Sequence, residues 1–316
     1  MRITLWPNAD AQAALQARLE TLTGMDVDFD WIGNETDLGT SLATADALII
    51  STPRINPGIL DDIASAPRLR WLQLLNAGFD RIPPGSLPKT LVVCNASAAL
   101  APTVAEHAMA LLLALGRRVD GFAALTAAGR WDKTLKERLR SLRGANLAIV
   151  GFGSIGKALA NQARPFGCRV IAVTRNGHPD PLADETVAVG DLDSALARAD
   201  AIAVTLPLTA ETRGLFDAER FSACRRQPLF VNIARGPIVD TQALEGALRA
   251  GVIAGAGLDV TDPEPLPTSH PLWSAPNVLI TPHVAAGGGY AALADFTADN
   301  IERFARGEEP VSRVLI

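Results

Sequence analysis

Short apolar runs of about four to six residues recur along this chain, most of them trailed by a stretch in which apolar positions return every three or four residues. The runs cover residues 3–6, 47–51, 71–75 and 91–94, then 147–150, 170–174, 201–206, 229–233, 255–258 and 278–281. A strand that is apolar throughout, rather than alternating, is one covered on both faces, and strands interleaved with helices pair in parallel. The helical period is clearest at residues 10–22, 103–117, 155–166 and 242–250. A chain of 316 residues is too long for one ordinary core. The pattern therefore predicts an α/β protein of two doubly wound parallel-sheet domains.

Two breaks interrupt the rhythm. The first lies at residues 98–102, where a strand ends and an Ala/Leu-rich helix is expected to begin at Thr103, with Pro102 just ahead as a start signal. The second is the run Gly287-Gly288-Gly289 before the last helix.

Composition narrows the class. Hydrophobic residues make up 48% and charged residues 20%, which describes a globular chain. The net charge of -5, with no basic stretch, argues against a nucleic-acid partner. Cys94, Cys168 and Cys224 are odd in number and widely spaced, so buried, reduced thiols and a cytoplasmic location are expected. The N-terminus has no long apolar run of the secretory kind. The apolar stretch at 104–115 carries Glu106 and His107 and reads as too short to span a bilayer, so no membrane association is expected.

The first motif with chemistry is Gly151-Phe152-Gly153-Ser154-Ile155-Gly156, directly after one strand, opening a helix at Ser154 and followed by another strand. In that context Gly151 permits the tight turn and Gly153 lets a pyrophosphate approach the backbone. Gly156 permits close helix–strand packing, and the helix start offers amides to the anion. The end of the second strand usually carries an acid for the ribose 2′-hydroxyl of NAD. Here it reads Val173-Thr174-Arg175-Asn176, without an acid. Arg175 can pair with a 2′-phosphate and Thr174 can donate to it, so NADP(H) is the expected cofactor, with NAD(H) possible.

Three polar residues then stand at the ends of three apolar runs: Arg235 in Ile233-Ala234-Arg235-Gly236, Glu264 in Pro263-Glu264-Pro265, and His283 in Thr281-Pro282-His283. Reducing a 2-keto acid needs a proton for the carbonyl oxygen as hydride reaches the carbon, and histidine titrates in the right range to give it. A carboxylate beside it favours the imidazolium, and a guanidinium can hold the substrate carboxylate and polarise the carbonyl. His178 and His270 read as loop residues.

Together these motifs resemble the D-isomer-specific 2-hydroxyacid dehydrogenases, over essentially the whole chain. The resemblance implies a Rossmann dinucleotide domain, residues 102–284, inserted in a flavodoxin-like substrate domain formed by residues 1–101 and 285–316. It implies Arg235, Glu264 and His283 as the catalytic set. It adds cofactor contacts at Thr103, Leu206, Pro207, Thr212, Ile233, Ala234, Asp259 and His283, beside Gly151, Gly153, Ser154, Ile155, Gly156, Thr174 and Arg175. Asp259 resembles the acid that receives the carboxamide. Asn76, Ala77 and Gly78 resemble the loop whose amides take the substrate carboxylate, with Arg235 and His283 completing the substrate contacts.

The chain ends without room for the regulatory C-terminal domain of some phosphoglycerate dehydrogenases, which makes that relative less expected. The function implied is NADPH-dependent reduction of small 2-keto acids of the glyoxylate or hydroxypyruvate type. NAD-linked oxidation of a D-2-hydroxy acid is the alternative, and a dinucleotide-sensing interaction protein is a second. A homodimer is expected from the family and from the apolar helix after Thr103, which carries more apolar surface than one sheet face needs.

Overall fold

The computed structural model describes residues 1–315 and divides into two compact units: Met1–Ala101 with the segment from Gly287 onward, and Pro102–Ala286. In the first, strands β1 (Arg2–Trp6), β2 (Asp28–Trp31), β3 (Ala47–Ile50), β4 (Trp71–Leu74) and β5 (Val92–Cys94) form one parallel sheet in the order β2-β1-β3-β4-β5. That is the flavodoxin-like order. Helices α1 (Ala9–Leu19), α2 (Leu38–Leu42) and α3 (Pro57–Ser65) connect the strands. The core gathers Leu48, Ile50, Leu72 and Leu74 from the sheet with Leu38, Leu42, Ile59 and Ile63 from the helices. The chain returns to this unit at its end: Phe304 lies 5.1 Å from Trp71 between ring centroids, and the buried Asn300 donates to Gln73 at 2.9 Å.

Helix α4 (Ser97–Arg117) begins six residues earlier than the sequence reading places it, and Pro102 lies inside it. The start is fixed by Asn95, whose Oδ1 accepts both the amide and the hydroxyl of Ser97 at 3.2 and 2.8 Å. A side chain that satisfies an early amide nucleates the helix ahead of the proline, and the proline then costs one backbone bond near the N-terminal end. Thr103 is thus a helix-interior residue and does not head the helix. At 21 residues α4 has the length and apolar composition to cross a membrane, which corrects the reading of this stretch as too short. Half of it is buried by the fold: Leu112 and Leu115 are 0% and 1% exposed, and the side chains of Leu111 and Leu115 close over Gly257. About half of its apolar stripe is therefore spent inside this chain's own fold.

The second unit continues with α5 (Val119–Ala127) and then a seven-stranded parallel sheet. Its strands are β6 (Asn146–Val150), β7 (Arg169–Thr174), β8 (Glu185–Ala188), β9 (Ala201–Val204), β10 (Leu229–Asn232), β11 (Gly255–Leu258) and β12 (Val278–Ile280). The order β12-β11-β10-β9-β6-β7-β8 reverses direction between β6 and β9, the switch point where doubly wound sheets bind dinucleotides. Helices α6 (Ser154–Ala163), α7 (Leu192–Leu196), α8 (Ala218–Ser222) and α9 (Thr241–Arg249) follow their strands, and α10 (Tyr290–Ala305) is the terminal helix of the first unit. Phe216, Phe221 and Phe230 pack ring to ring at 5.1–5.9 Å and anchor this core.

Candidate active site

The glycine turn sits at the switch point. Gly151 has φ +97°, and a Cβ there would press on the Leu206 amide at 2.9 Å. A Cβ on Gly156 would run into the Gly151 carbonyl, so only glycine lets α6 lie this close to β6. Thr205 locks the turn from the neighbouring strand, its hydroxyl donating to the Gly151 carbonyl at 2.5 Å. Gly153 is different: nothing lies within 4 Å of where its Cβ would be, and as N-cap residue it offers no side chain to the first amides of α6. A ten-residue helix whose leading amides face open space beside a glycine suits a pyrophosphate. Ser154 and Ile155 form its first turn. Gln162 on the same helix donates to the Pro102 carbonyl at 2.9 Å, which brings the neighbourhood of Thr103 to α6.

At the end of β7 the Thr174 hydroxyl accepts the Gly177 amide at 3.0 Å, and Arg175 is exposed. The loop after β9 holds Leu206 and Pro207, and the Thr212 hydroxyl donates to the Pro207 carbonyl at 2.7 Å to keep that loop turned. On it stands Glu211, whose carboxyl is held below the usual range by the Thr209 hydroxyl and its own amide, and further by the charge of Arg175. Sequence reasoning did not anticipate this acid facing the arginine.

Ile233 and Ala234 are each 6% exposed at the end of β10. Asn232 shapes the turn that follows, its Oδ1 accepting the Ala234 amide and its Nδ2 donating to the Arg235 carbonyl, both at 3.0 Å. The Arg235 guanidinium donates to the Ala234 carbonyl at 2.7 Å. Gly236 is required here, because a Cβ would collide with the Thr261 carbonyl. The arginine loop is thereby pressed directly against the segment that leads into Glu264.

His283 and Glu264 meet: Nδ1 lies 2.6 Å from Oε1, with 46% and 40% of the two side chains exposed. His283 adopts φ +55°, a left-handed conformation uncommon for a residue with a side chain. Its amide donates to the carbonyls of Asp259 and Thr281 at 2.8 and 3.0 Å. The Asp259 carboxylate, only 2% exposed, accepts the Thr281 hydroxyl at 2.7 Å and the amides of Val284 and Ala285 at 2.9 and 3.0 Å. Asp259 was read from sequence as a cofactor contact; in the fold its bonds also hold the histidine loop.

In the first unit, Asn76, Ala77 and Gly78 follow β4, half-buried. Their carbonyls are all taken: Asn76 by the Ala96 amide at 3.0 Å, Ala77 by Asn95 Nδ2 at 2.6 Å, and Gly78 by the Thr52 hydroxyl at 3.2 Å. The Asn76 side chain accepts the Thr52 amide at 2.9 Å. With the carbonyls drawn inward, no carbonyl of the described residues accepts the Ala77 or Gly78 amide. Two consecutive amides without a carbonyl acceptor are donors of the kind an anion can take. A cavity of about 320 Å³, lined by Leu112, Arg117, Arg140 and Phe166, touches none of these loops.

Comparison with known proteins agrees with this geometry. Residues 109–285 match the family model for the D-isomer specific 2-hydroxyacid dehydrogenase, NAD binding domain. A glyoxylate reductase of Thermofilum pendens is 33% identical over 296 residues, spanning 90% of this chain and 86% of that one. A glyoxylate/hydroxypyruvate reductase B of Citrobacter koseri is 35% identical over 250 residues, or 78% of this chain and 76% of that one. The structure of an NADPH-dependent glyoxylate/hydroxypyruvate reductase of Sinorhizobium meliloti, in complex with NADP and sulfate, superposes with a TM-score of 0.83 at 25% identity, covering 99% of this chain and 98% of that one. This chain belongs to the D-isomer-specific 2-hydroxyacid dehydrogenase family, as an NAD(P)-dependent enzyme.

Proposed function

We propose that the enzyme reduces small 2-keto acids of the glyoxylate and hydroxypyruvate type to D-2-hydroxy acids, with NADPH as the preferred cofactor. The observation that carries the reading is the His283–Glu264 contact at 2.6 Å at the carboxyl end of the dinucleotide-binding sheet. A carboxylate can only accept, so His283 Nδ1 bears the proton of that bond and Nε2 is left for the substrate. Bound nicotinamide supplies the hydride for the keto carbon. His283 Nε2 gives the proton to the carbonyl oxygen, and Glu264 steadies the imidazolium and fixes the ring. Arg235 holds the substrate carboxylate and polarises the carbonyl.

The cofactor cradle is formed by Gly151, Gly153 and the first turn of α6, with Leu206, Pro207, Ile233 and Ala234 along its length. Arg175 at the end of β7 is the group for a 2′-phosphate, and the Sinorhizobium meliloti reductase is named for NADPH. Glu211, close enough to feel the charge of Arg175, favours a second reading, in which NADH serves and the enzyme oxidises a D-2-hydroxy acid. One experiment separates them: a panel of small 2-keto acids with NADPH and with NADH, followed by cofactor oxidation. The reading expects kcat/KM at least tenfold higher with NADPH and a best substrate of two or three carbons. Equal or better use of NADH removes the cofactor assignment, and no turnover on any keto acid removes the function.

The three cysteines are free and buried, which fits a reducing, cytoplasmic compartment. A homodimer remains our reading of the assembly, though for a different reason from the apolar stripe of α4. Helix α5 buries none of its residues, and Trp131 shortly after it is 96% exposed. A tryptophan so exposed beside an unburied apolar helix marks an interface. The expected mass in solution is twice the 33.3 kDa of the chain, reverting toward one chain in Trp131→Asp.

A further inference from the structure

His107 stands in the middle of α4, among apolar neighbours, with 22% of its side chain exposed. Its Nε2 lies 2.9 Å from the Thr281 hydroxyl and 3.5 Å from Asp259 Oδ1. Donor arithmetic settles the direction of this chain of bonds. The Asp259 carboxylate can only accept, so the single hydroxyl proton of Thr281 goes to it, at 2.7 Å. Thr281 Oγ1 must then accept from His107, which fixes His107 with a proton on Nε2. The chain ends on the acid/base loop itself. Asp259 takes the Val284 and Ala285 amides through its carboxylate and the His283 amide through its backbone carbonyl.

We propose that His107 is a positioning residue for catalysis: through Thr281 it aims the Asp259 carboxylate, which holds residues 283–285 and so keeps His283 in its left-handed conformation against Glu264. The inference rests on the reading of His283 as the acid/base. The physical need is clear from that conformation. A residue with a side chain at φ +55° is held there only by surrounding bonds, and here three of the bonds come from one aspartate. Without Thr281 and His107, the Asp259 carboxylate would be held only by the Val284 and Ala285 amides of the loop it is meant to hold. The Thr281 hydroxyl and the His107 proton behind it supply the independent hold, from a helix anchored in the core. Misplacing an acid by even about 1 Å lowers turnover steeply.

The test uses the full-length enzyme and two pairs of variants. His107→Gln keeps an Nε2 donor and His107→Met removes it; Thr281→Ser keeps the hydroxyl and Thr281→Val removes it. The non-donating members should lose about tenfold in kcat with cofactor Kd within twofold of the parent, and the conservative members should recover most of it. Without any cofactor, amide hydrogen exchange at residues 283–285 should speed up in His107→Met and Thr281→Val alone, a change that does not depend on turnover. His283→Asn in the parent checks the underlying reading separately: if it keeps turnover, the acid/base assignment fails while the exchange result still judges the hold on the loop. Unchanged kcat and unchanged exchange in His107→Met overturn the proposal. A loss of cofactor affinity that matches the loss of kcat overturns it too, because Asp259 would then serve the cofactor rather than the loop.

Discussion

His283 Nδ1 lies 2.6 Å from Glu264 Oε1, and the two residues come from separate loops, one after β11 and one after β12. That contact leaves Nε2 as the nitrogen assigned to the substrate in the proposed function. His283→Asn is expected to lower kcat by about 10²- to 10⁴-fold, the usual worth of a positioned general acid. Cofactor affinity, measured by quenching of protein fluorescence, should fall far less than turnover. Turnover within tenfold of the parent would refute the role.

Glu264→Gln keeps the size of the side chain and removes its charge. An outer partner of this kind typically contributes about 10- to 100-fold. The expected result is a fall of that size in kcat, with KM for the keto acid nearly unchanged because Glu264 does not hold the substrate. An equal loss in the two parameters would assign Glu264 to binding instead.

Gly236 is where the arginine loop touches the segment that leads into Glu264. Gly236→Ala forces a methyl group into the Thr261 carbonyl, and overpacking of this sort costs about 1–3 kcal/mol. A lower Tm is expected together with a larger loss of activity than stability alone explains, since the displaced Thr261 is three residues from Glu264. A variant with native Tm and native kcat would show that the two loops move independently.

Stability should also report on Asp46, which is buried at the foot of the first sheet. Burial raises its carboxyl, but the Arg2 amide and the charges of Arg68 and Arg70 outweigh it and hold the group below its ordinary value of 3.8. A depressed folded-state pKa means a contribution fully present above the unfolded value and lost as pH falls through the folded one. Asp46→Asn should therefore destabilise by about 1.5–3 kcal/mol at pH 7, the range for a hydrogen bond to a charged group. The difference should close as the pH is taken below about 3.8. Urea melts at pH 7 and pH 3 give the comparison, and a pH-independent difference would show that the carboxylate's charge is not what matters.

Most of the central strands were legible because they are apolar on both faces. Two of the four edge strands were not. β2 reads Asp-Phe-Asp-Trp and β8 reads Glu-Thr-Val-Ala, and neither has the continuous apolar run by which the others announce themselves. Their acids are used at the rim: Asp30 pairs with Arg2 at 2.9 Å, and Glu185 with Arg198 at 2.7 Å. The start of α4 was misjudged because Pro102 is a local signal, whereas the Asn95 side chain that starts the helix also bonds the distant Ala77 carbonyl.

The candidate site divides the same way. Arg235, Glu264, His283 and the glycine turn carry local motifs. Glu211 lies in the Glu211-Thr212-Arg213-Gly214 run that resembles the loop beside the cofactor, but its nearness to Arg175, like that of His107 to Thr281, comes only from folding.

The positive φ of His283 has a practical consequence for anyone who would make this enzyme sturdier. A side chain in the left-handed region costs about 1 kcal/mol that glycine avoids and asparagine partly avoids. A redesign scored on backbone strain alone will therefore choose glycine or asparagine at position 283, and under the proposed acid/base role the protein it returns loses its turnover. Under that role, backbone strain and turnover select opposite residues at this one position.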